Sequence, residues 1–157
     1  MNQDQERNLL RRRLLGFGLA CEPTDGSLDI GRDLVLVADD SGRDFKVVEG
    51  MDNLGQVLQT ALTTPLGGDV FNVDFGFDGL NALAEETVPV LVQERVRIAI
   101  VTLLKKDPRV RRIVDVTLED GRLANPGSAV RELDVRVAFE TASADTATLT
   151  LGKVLNG

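Results

Sequence analysis

The sequence predicts an α+β fold: an antiparallel sheet packed on one long and one shorter helix, with an N-terminal helical arm and a β-hairpin in front. Three observations predict it. In the last third, Val114, Val116 and Leu118, then Leu133, Val135, Val137 and Phe139, then Ala147, Leu149 and Leu151 alternate with polar neighbours. Alternation at period two marks strands, and three strands with one wet face suit an antiparallel sheet. Before them, Val92, Val96, Ala99, Ile100 and Leu103 recur at helical spacing between Pro89 and Pro108. Earlier still, Leu34 to Val37 and Phe45 to Val48 flank the turn-rich run Asp39-Asp40-Ser41-Gly42-Arg43, which predicts a hairpin.

In chain order, residues 1–20 are polar and basic with a thin stripe of Leu9, Leu10, Leu14 and Leu15. That spacing predicts a short helix ending at Gly16 and Gly18. Leu28 and Ile30 predict a short strand before the hairpin. The shorter helix takes Asp52 or Asn53 as N-cap and places Leu54, Val57, Leu58, Ala61 and Leu62 on one face. Pro65, Gly67 and Gly68 stop it. A Gly- and Phe-containing loop follows to Phe77, running towards a helical turn near Leu80 to Leu83. The long helix takes Thr87 as N-cap and Pro89 in its first turn. Ile98 and Val101 form a second apolar face, as expected of a helix touching two layers. Lys105 and Lys106 suit its C-terminal end, and Pro108 stops it. Gly121 to Ser128 form a loop between the first two long strands. The chain divides into an arm-and-hairpin extension over 1–50 and an α+β domain over 51–157.

Composition narrows the function. At 157 residues a chain buries roughly 70% of its unfolded surface, enough for a core. The 43% apolar and 27% charged content is that of a soluble globular protein. There are six Phe but no Trp, Tyr or His. The commonest general base and metal ligand is therefore missing, along with the residues that usually anchor sugars and splayed bases. A net charge of −7 makes nucleic acid a poor partner. The single Cys21 cannot form an internal disulfide, which fits folding in a reducing compartment. Arg11, Arg12 and Arg13 interrupt any secretory apolar run, and no stretch is long enough to span a membrane. The expected setting is assembly in the cytoplasm, with no membrane contact.

Catalytic patterns are thin. Gly16-Phe17-Gly18 lacks the third glycine and preceding strand of a dinucleotide loop, and reads as a helix-ending turn. Asp39, Asp40 and Asp44 with Gly42 lack calcium-loop spacing and read as turn chemistry. Glu85-Glu86 and Glu119-Asp120 could in principle serve a glycosidase, but read as solvated acids. Cys21 has no His to activate it. No cofactor, metal or catalytic residue is expected.

Two motifs are harder to dismiss. The loop Gly67-Gly68-Asp69-Val70-Phe71-Asn72-Val73-Asp74-Phe75-Gly76 spends glycines where backbones approach closely. Phe71 and Phe75 are expected to tuck back and fix it; a plain connection is the alternative. Asp107-Pro108-Arg109 follows the long helix, so Pro108 pins the chain and Arg109 is offered from a rigid corner to a carboxylate or carbonyls. The alternative is a plain helix stop with a solvated Arg.

In this order, the Leu62-Thr63-Thr64-Pro65-x-Gly67 helix exit, the Phe71-Asn72-x-x-Phe75-Gly76 loop, the long helix, Asp107-Pro108-Arg109-Val110 and the closing strands resemble the baseplate wedge, or sheath-initiator, family. That family belongs to contractile phage tails and contractile injection systems and is often labelled "lysozyme-like". The resemblance runs from about Asn53 to Leu151. Many members carry Glu-Arg where this chain has Gly68-Asp69, and Glu-Pro-Arg where it has Asp-Pro-Arg. The resemblance implies a structural baseplate component, not an enzyme, in a phage-tail-like particle that is released in some systems. It implies that Asp107, Pro108 and Arg109 dock to the wedge proteins, and that Gly67, Phe71, Asn72, Phe75 and Gly76 form the loop motif. It also implies that strands template the first ring of sheath subunits, with several copies per particle, about six in a closed ring.

Thr146, Ala147, Thr148, Leu149, Thr150 and Leu151 carry no charge, so they fit an edge strand meant for pairing. An interior strand of the domain's own sheet is the alternative. The arm, through Arg11 to Arg13, is expected to meet the inner tube or hub. Two other function classes stay open: a peptidoglycan-degrading lysozyme-like enzyme and a free-standing protein-binding module.

Overall fold

The computed structural model describes residues 2–23, 32–39, 42–79, 85, 88–120 and 131–156. It is α+β and divides into two compact units, Met1–Val57 and Leu58–Gly157. The division falls inside a helix, a little beyond the expected break after Gly50. The expected strand at Leu28 and Ile30, the turn near Leu80 to Leu83 and the loop from Gly121 to Ser128 lie outside the described residues.

The first unit opens with α1, Gln3–Leu15. Asn2 N–H donates to Gln5 Oε1 at 3.1 Å, which closes the N-terminus. Asp4 and Glu6 lie in the first turn and Arg12 and Arg13 in the last, each charge set against the opposite end of the helix dipole. Gly16, at φ +79°, ends the helix as expected. Of the four leucines only Leu15 is buried; Leu9, Leu10 and Leu14 are exposed.

Six short strands follow, paired as three antiparallel ribbons. β1 (Phe17–Leu19) pairs with β6 (Val47–Glu49), β2 (Cys21–Pro23) with β3 (Arg32–Leu34), and β4 (Leu36–Asp39) with β5 (Gly42–Phe45). The last pair matches the expected hairpin in part, since Leu34 pairs with β2 and Val47 and Val48 pair with β1. The ribbons meet at Ala20, Val35 and Lys46. Ala20 N donates to Lys46 O at 2.7 Å, Lys46 N to Val35 O at 2.9 Å, and Val35 N to Ala20 O at 3.0 Å. This closed cycle satisfies backbone groups that no single ribbon pairs.

α2 (Gly50–Thr63) follows β6 directly, which corrects the expected N-cap. The chain turns into the helix at Gly50, φ +60°, so Asp52 and Asn53 lie inside it. Asn53 is buried, and its Nδ2 donates to Leu15 O at 3.0 Å. Three residues on, Gln56 Oε1 accepts from Cys21 N at 2.8 Å and Nε2 donates to Leu19 O at 2.7 Å. Positions three apart share a helix face, so two amides tie this helix to α1 and to the strands, with Leu54 buried alongside.

In the second unit, Leu58, Ala61 and Leu62 of α2 are buried, as their spacing predicts. α3 runs Pro89–Lys106, with Pro89 in the first turn. Its N-cap position is Val88, not Thr87. Val92, Val96, Ile100 and Leu104 form the buried stripe, while Ala99 and Leu103 are half-buried. The second apolar face is covered only in part: Ile98 is 64% exposed, while Val101 is half-buried. Then β7 (Val110–Asp120), β8 (Arg131–Thr141) and β9 (Thr146–Asn156) form an antiparallel meander in the order β7-β8-β9, with α3 against β7. Among its described residues, Val116, Val135, Val137 and Phe139 are the buried apolar ones, with Thr141 buried at the end of β8.

The register breaks between Val110 and Arg112 and between Ile113 and Asp115. Each extra residue is a bulge that shifts the side-chain parity. Val114 is therefore 54% exposed and does not share the face of Val116, which corrects the simple alternation. Among the described residues no helix is long and apolar enough to cross a membrane.

Candidate functional site

Three features of the second unit correspond to the residues singled out in the sequence. The first is the corner after α3. Asp107 caps the helix with extended backbone, and its N–H donates to Leu104 O. Arg109 folds back onto it. Its Nε and backbone N each donate to Asp107 Oδ1 at 2.9 Å, and its Nη2 donates to Oδ2 at 2.6 Å. The side chains are only 23% and 15% exposed. Burial pushes the Asp107 carboxyl up, but the Arg109 hydrogen bonds and charge outweigh it and leave the group below its ordinary range.

The guanidinium expected to face outward is thus held by its own neighbour. The Thr141–Asp145 turn braces the corner from the other side, since Ala142 N donates to Arg109 O at 2.8 Å. Within that turn, Thr141 and Asp145 are buried, and Ser143 Oγ donates to Asp145 Oδ2 at 2.7 Å. These three residues were not singled out in the sequence. A Thr-x-Ser-x-Asp run is ordinary turn composition, and only the fold reveals that it abuts Arg109.

The second feature is the loop. Pro65 bridges Phe77, Phe77 N donates to Thr64 O at 2.8 Å, and Leu66 N donates to Phe77 O at 3.3 Å. Gly67 and Gly76 sit at φ +77° and +111°. A Cβ on Gly76 would lie 2.6 Å from Pro65 O and 2.7 Å from Thr64 O, so this position requires glycine. Between them, Asn72 N donates to Asp69 O and Phe75 N to Asn72 O. The expected tucking of Phe71 is overturned: its ring is 97% exposed, with Val70 and Val73 exposed beside it. Phe75 is half-buried, and the anchoring aromatic is Phe77, 3% exposed. The Pro65–Phe77 bridge closes the base of the loop and turns its tip to solvent. A groove of about 260 Å³ runs between the loop and α3, lined by Leu66, Gly76, Ile98, Thr102 and Lys106 among others.

The third feature is β9. It pairs only with β8 among the described strands, so it is an edge of the meander, as is β7. Ala147 and Leu149 are half-buried opposite Phe139 and Val137, while Thr146, Thr148 and Thr150 are exposed. Leu151 pairs with Val135, and the strand runs on to Asn156, past the expected end. Its register shifts between the pairs to Leu133 and Val135.

Of the carboxylates considered for a glycosidase, Glu85 is exposed and meets Arg95 at 3.4 Å, Glu119 is exposed on β7, Asp120 ends β7, and Glu86 lies outside the described residues. The described residues hold no group of three or more His, Cys, Asp or Glu placed to hold a metal ion. A scan against protein-family models finds no match to this chain, and a search of curated proteins finds none either.

Proposed function

We propose that this chain is a structural subunit of a contractile injection machine, a baseplate component on which the sheath begins. The observation that carries the reading is β9, an eleven-residue strand with one side left unpaired by the described residues. Such an edge accepts a further strand through main-chain hydrogen bonds, while side chains set the register. Its first six residues carry no charge that would blunt it. Sheath subunits are the partners proposed for this edge.

The Asp107–Arg109 corner is proposed as the contact with the wedge proteins. It supports docking as a rigid, internally neutralised shape with Pro108 exposed at its apex, and less as an open fork. The loop supports the same role by lifting Phe71 clear of the domain. α1, with Arg11 to Arg13, is proposed to meet the inner tube or hub. Assembly would take place in the cytoplasm, with several copies per particle.

Electron microscopy of particles from a strain lacking this chain tests the reading. Bare tubes are expected, and fully sheathed particles would refute it. Replacing Thr148 and Thr150 by lysine is expected to give the same bare tubes while the isolated protein stays folded. A turbidity assay on purified cell walls separates this role from a peptidoglycan hydrolase: clearing that is lost in Glu85→Gln would favour the enzyme.

A further inference from the structure

Beside the three-ribbon junction of the first unit, the nearest residue pairs are Leu19 opposite Val47, Cys21 opposite Leu34, and Leu36 opposite Phe45. Opposed residues project to the same side of a ribbon, as do alternate residues along a strand. The three pairs and Phe17 therefore gather on one face. The large apolar side chains there are between 44% and 66% exposed. Together they offer on the order of 500 Å² of apolar surface, within the range of a monomer's largest patch, which is often functional.

Charge is sorted across the same ribbons. Glu22, Asp33 and Asp44 occupy the alternate positions and so project to the opposite side. The apolar face keeps Arg32 opposite Pro23 and Arg43 opposite Ala38. Its one described acid, Glu49, meets Arg12 at 3.3 Å, and Arg12 also lies over the Phe17 ring. No described carboxylate forms an ion pair with Arg32 or Arg43. Arg32 Nη2 donates to Cys21 O at 3.2 Å, and its buried Nε has no hydrogen-bond partner among the described residues.

On a chain of net charge −7, this face is apolar and cationic. A second copy docking here would bring four arginines, Arg32 and Arg43 from each copy, into one interface with no described carboxylate to pair them, which costs association. We infer that this face docks a partner protein through a segment with an apolar stripe flanked by carboxylates, such as an acidic amphipathic helix. The apolar pairs supply the contact area, and Arg32 and Arg43 select the charge of the partner. The inference is independent of the sheath-initiating role, because it uses neither β9 nor the Asp107–Arg109 corner.

The chain contains no Trp or Tyr, so a probe peptide carrying one Trp reports binding without background. The probe is an amphipathic Leu/Glu helix of about five turns, compared with a Leu/Lys peptide of the same pattern and with anionic phospholipid vesicles. The full chain is expected to bind the Leu/Glu peptide at least about tenfold more tightly than the Leu/Lys one. Leu36→Ser and Arg43→Glu should each weaken that binding about tenfold with unchanged circular dichroism. Equal binding of both peptides, or undiminished binding by Arg43→Glu, would overturn the inference. Vesicle adsorption without peptide binding would overturn it in favour of a membrane. Self-association abolished by Leu36→Ser would overturn it in favour of a second copy.

Discussion

Replacing Gly76 by alanine tests the loop at its most constrained point. The residue lies at φ +111°, beyond the left-handed well near +57° that L-residues visit at a cost of about 1–2 kcal/mol. The new Cβ would also meet Pro65 O at 2.6 Å and Thr64 O at 2.7 Å. Both are backbone atoms, so no side-chain rotation relieves them. Reaching ordinary contact at 3.4 Å needs a shift of roughly 0.8 Å. Thr64 O also accepts Phe77 N at 2.8 Å, and a shift of that size takes the bond out of hydrogen-bonding range. Losing it adds about 1 kcal/mol, for a total near 2–3 kcal/mol.

Gly67→Ala is the control. Its φ of +77° carries the conformational cost, but a Cβ there meets only Val73 O at 3.9 Å, so about 1 kcal/mol is expected. Urea unfolding followed by far-ultraviolet circular dichroism measures both. Gly76→Ala should lower the midpoint by about 1 M and Gly67→Ala by less than half of that. Equal losses, or no loss at Gly76, would refute the assignment of the clash to the Pro65–Phe77 closure.

Three further outcomes are expected. Asp107→Asn should lower the urea midpoint at pH 7. Because the folded carboxyl titrates below its unfolded value, its contribution is complete above about pH 4 and fades as pH falls through the folded value, so the gap to wild type should narrow at pH 3. Asn53→Leu, which removes the buried bond to Leu15 O, should cost about 1–2 kcal/mol in the same unfolding assay. Ala144 is the non-glycine residue with positive φ among those described, at +62°, so Ala144→Gly should raise the midpoint by about 0.5–1 kcal/mol equivalent.

Length and packing decided what could be read without the structure. β7, β8 and β9 each run eleven residues against a core, long enough for alternation to emerge even across bulges. The stripe of α3 was legible for the same reason, although Leu104 rather than Leu103 is its buried end. The three-residue strands of the first unit are too short to show a period, and their partners are fixed by the Ala20–Val35–Lys46 cycle, a tertiary feature with no local signature.

Val114 was misplaced because a bulge shifts parity without altering composition. Phe71 was misplaced because burial is the usual fate of Phe; only the closure at Phe77 shows which ring the loop can enclose. At the corner, residue type correctly singled out Arg109. Its capture by Asp107 depends on the local backbone path after Pro108, which sequence spacing leaves open.

The cycle at Ala20, Val35 and Lys46 has a bearing on how this unit tolerates change. Each ribbon leaves the hub with its register already set by those three bonds, so whole residue pairs added or removed near a ribbon's far end alter reach alone. A single-residue insertion beside the hub would instead turn one arm over and move its carboxylates onto the oily side. Natural length variation in this segment should therefore gather between Pro23 and Arg32 and between Asp39 and Gly42, at the strand ends farthest from the hub.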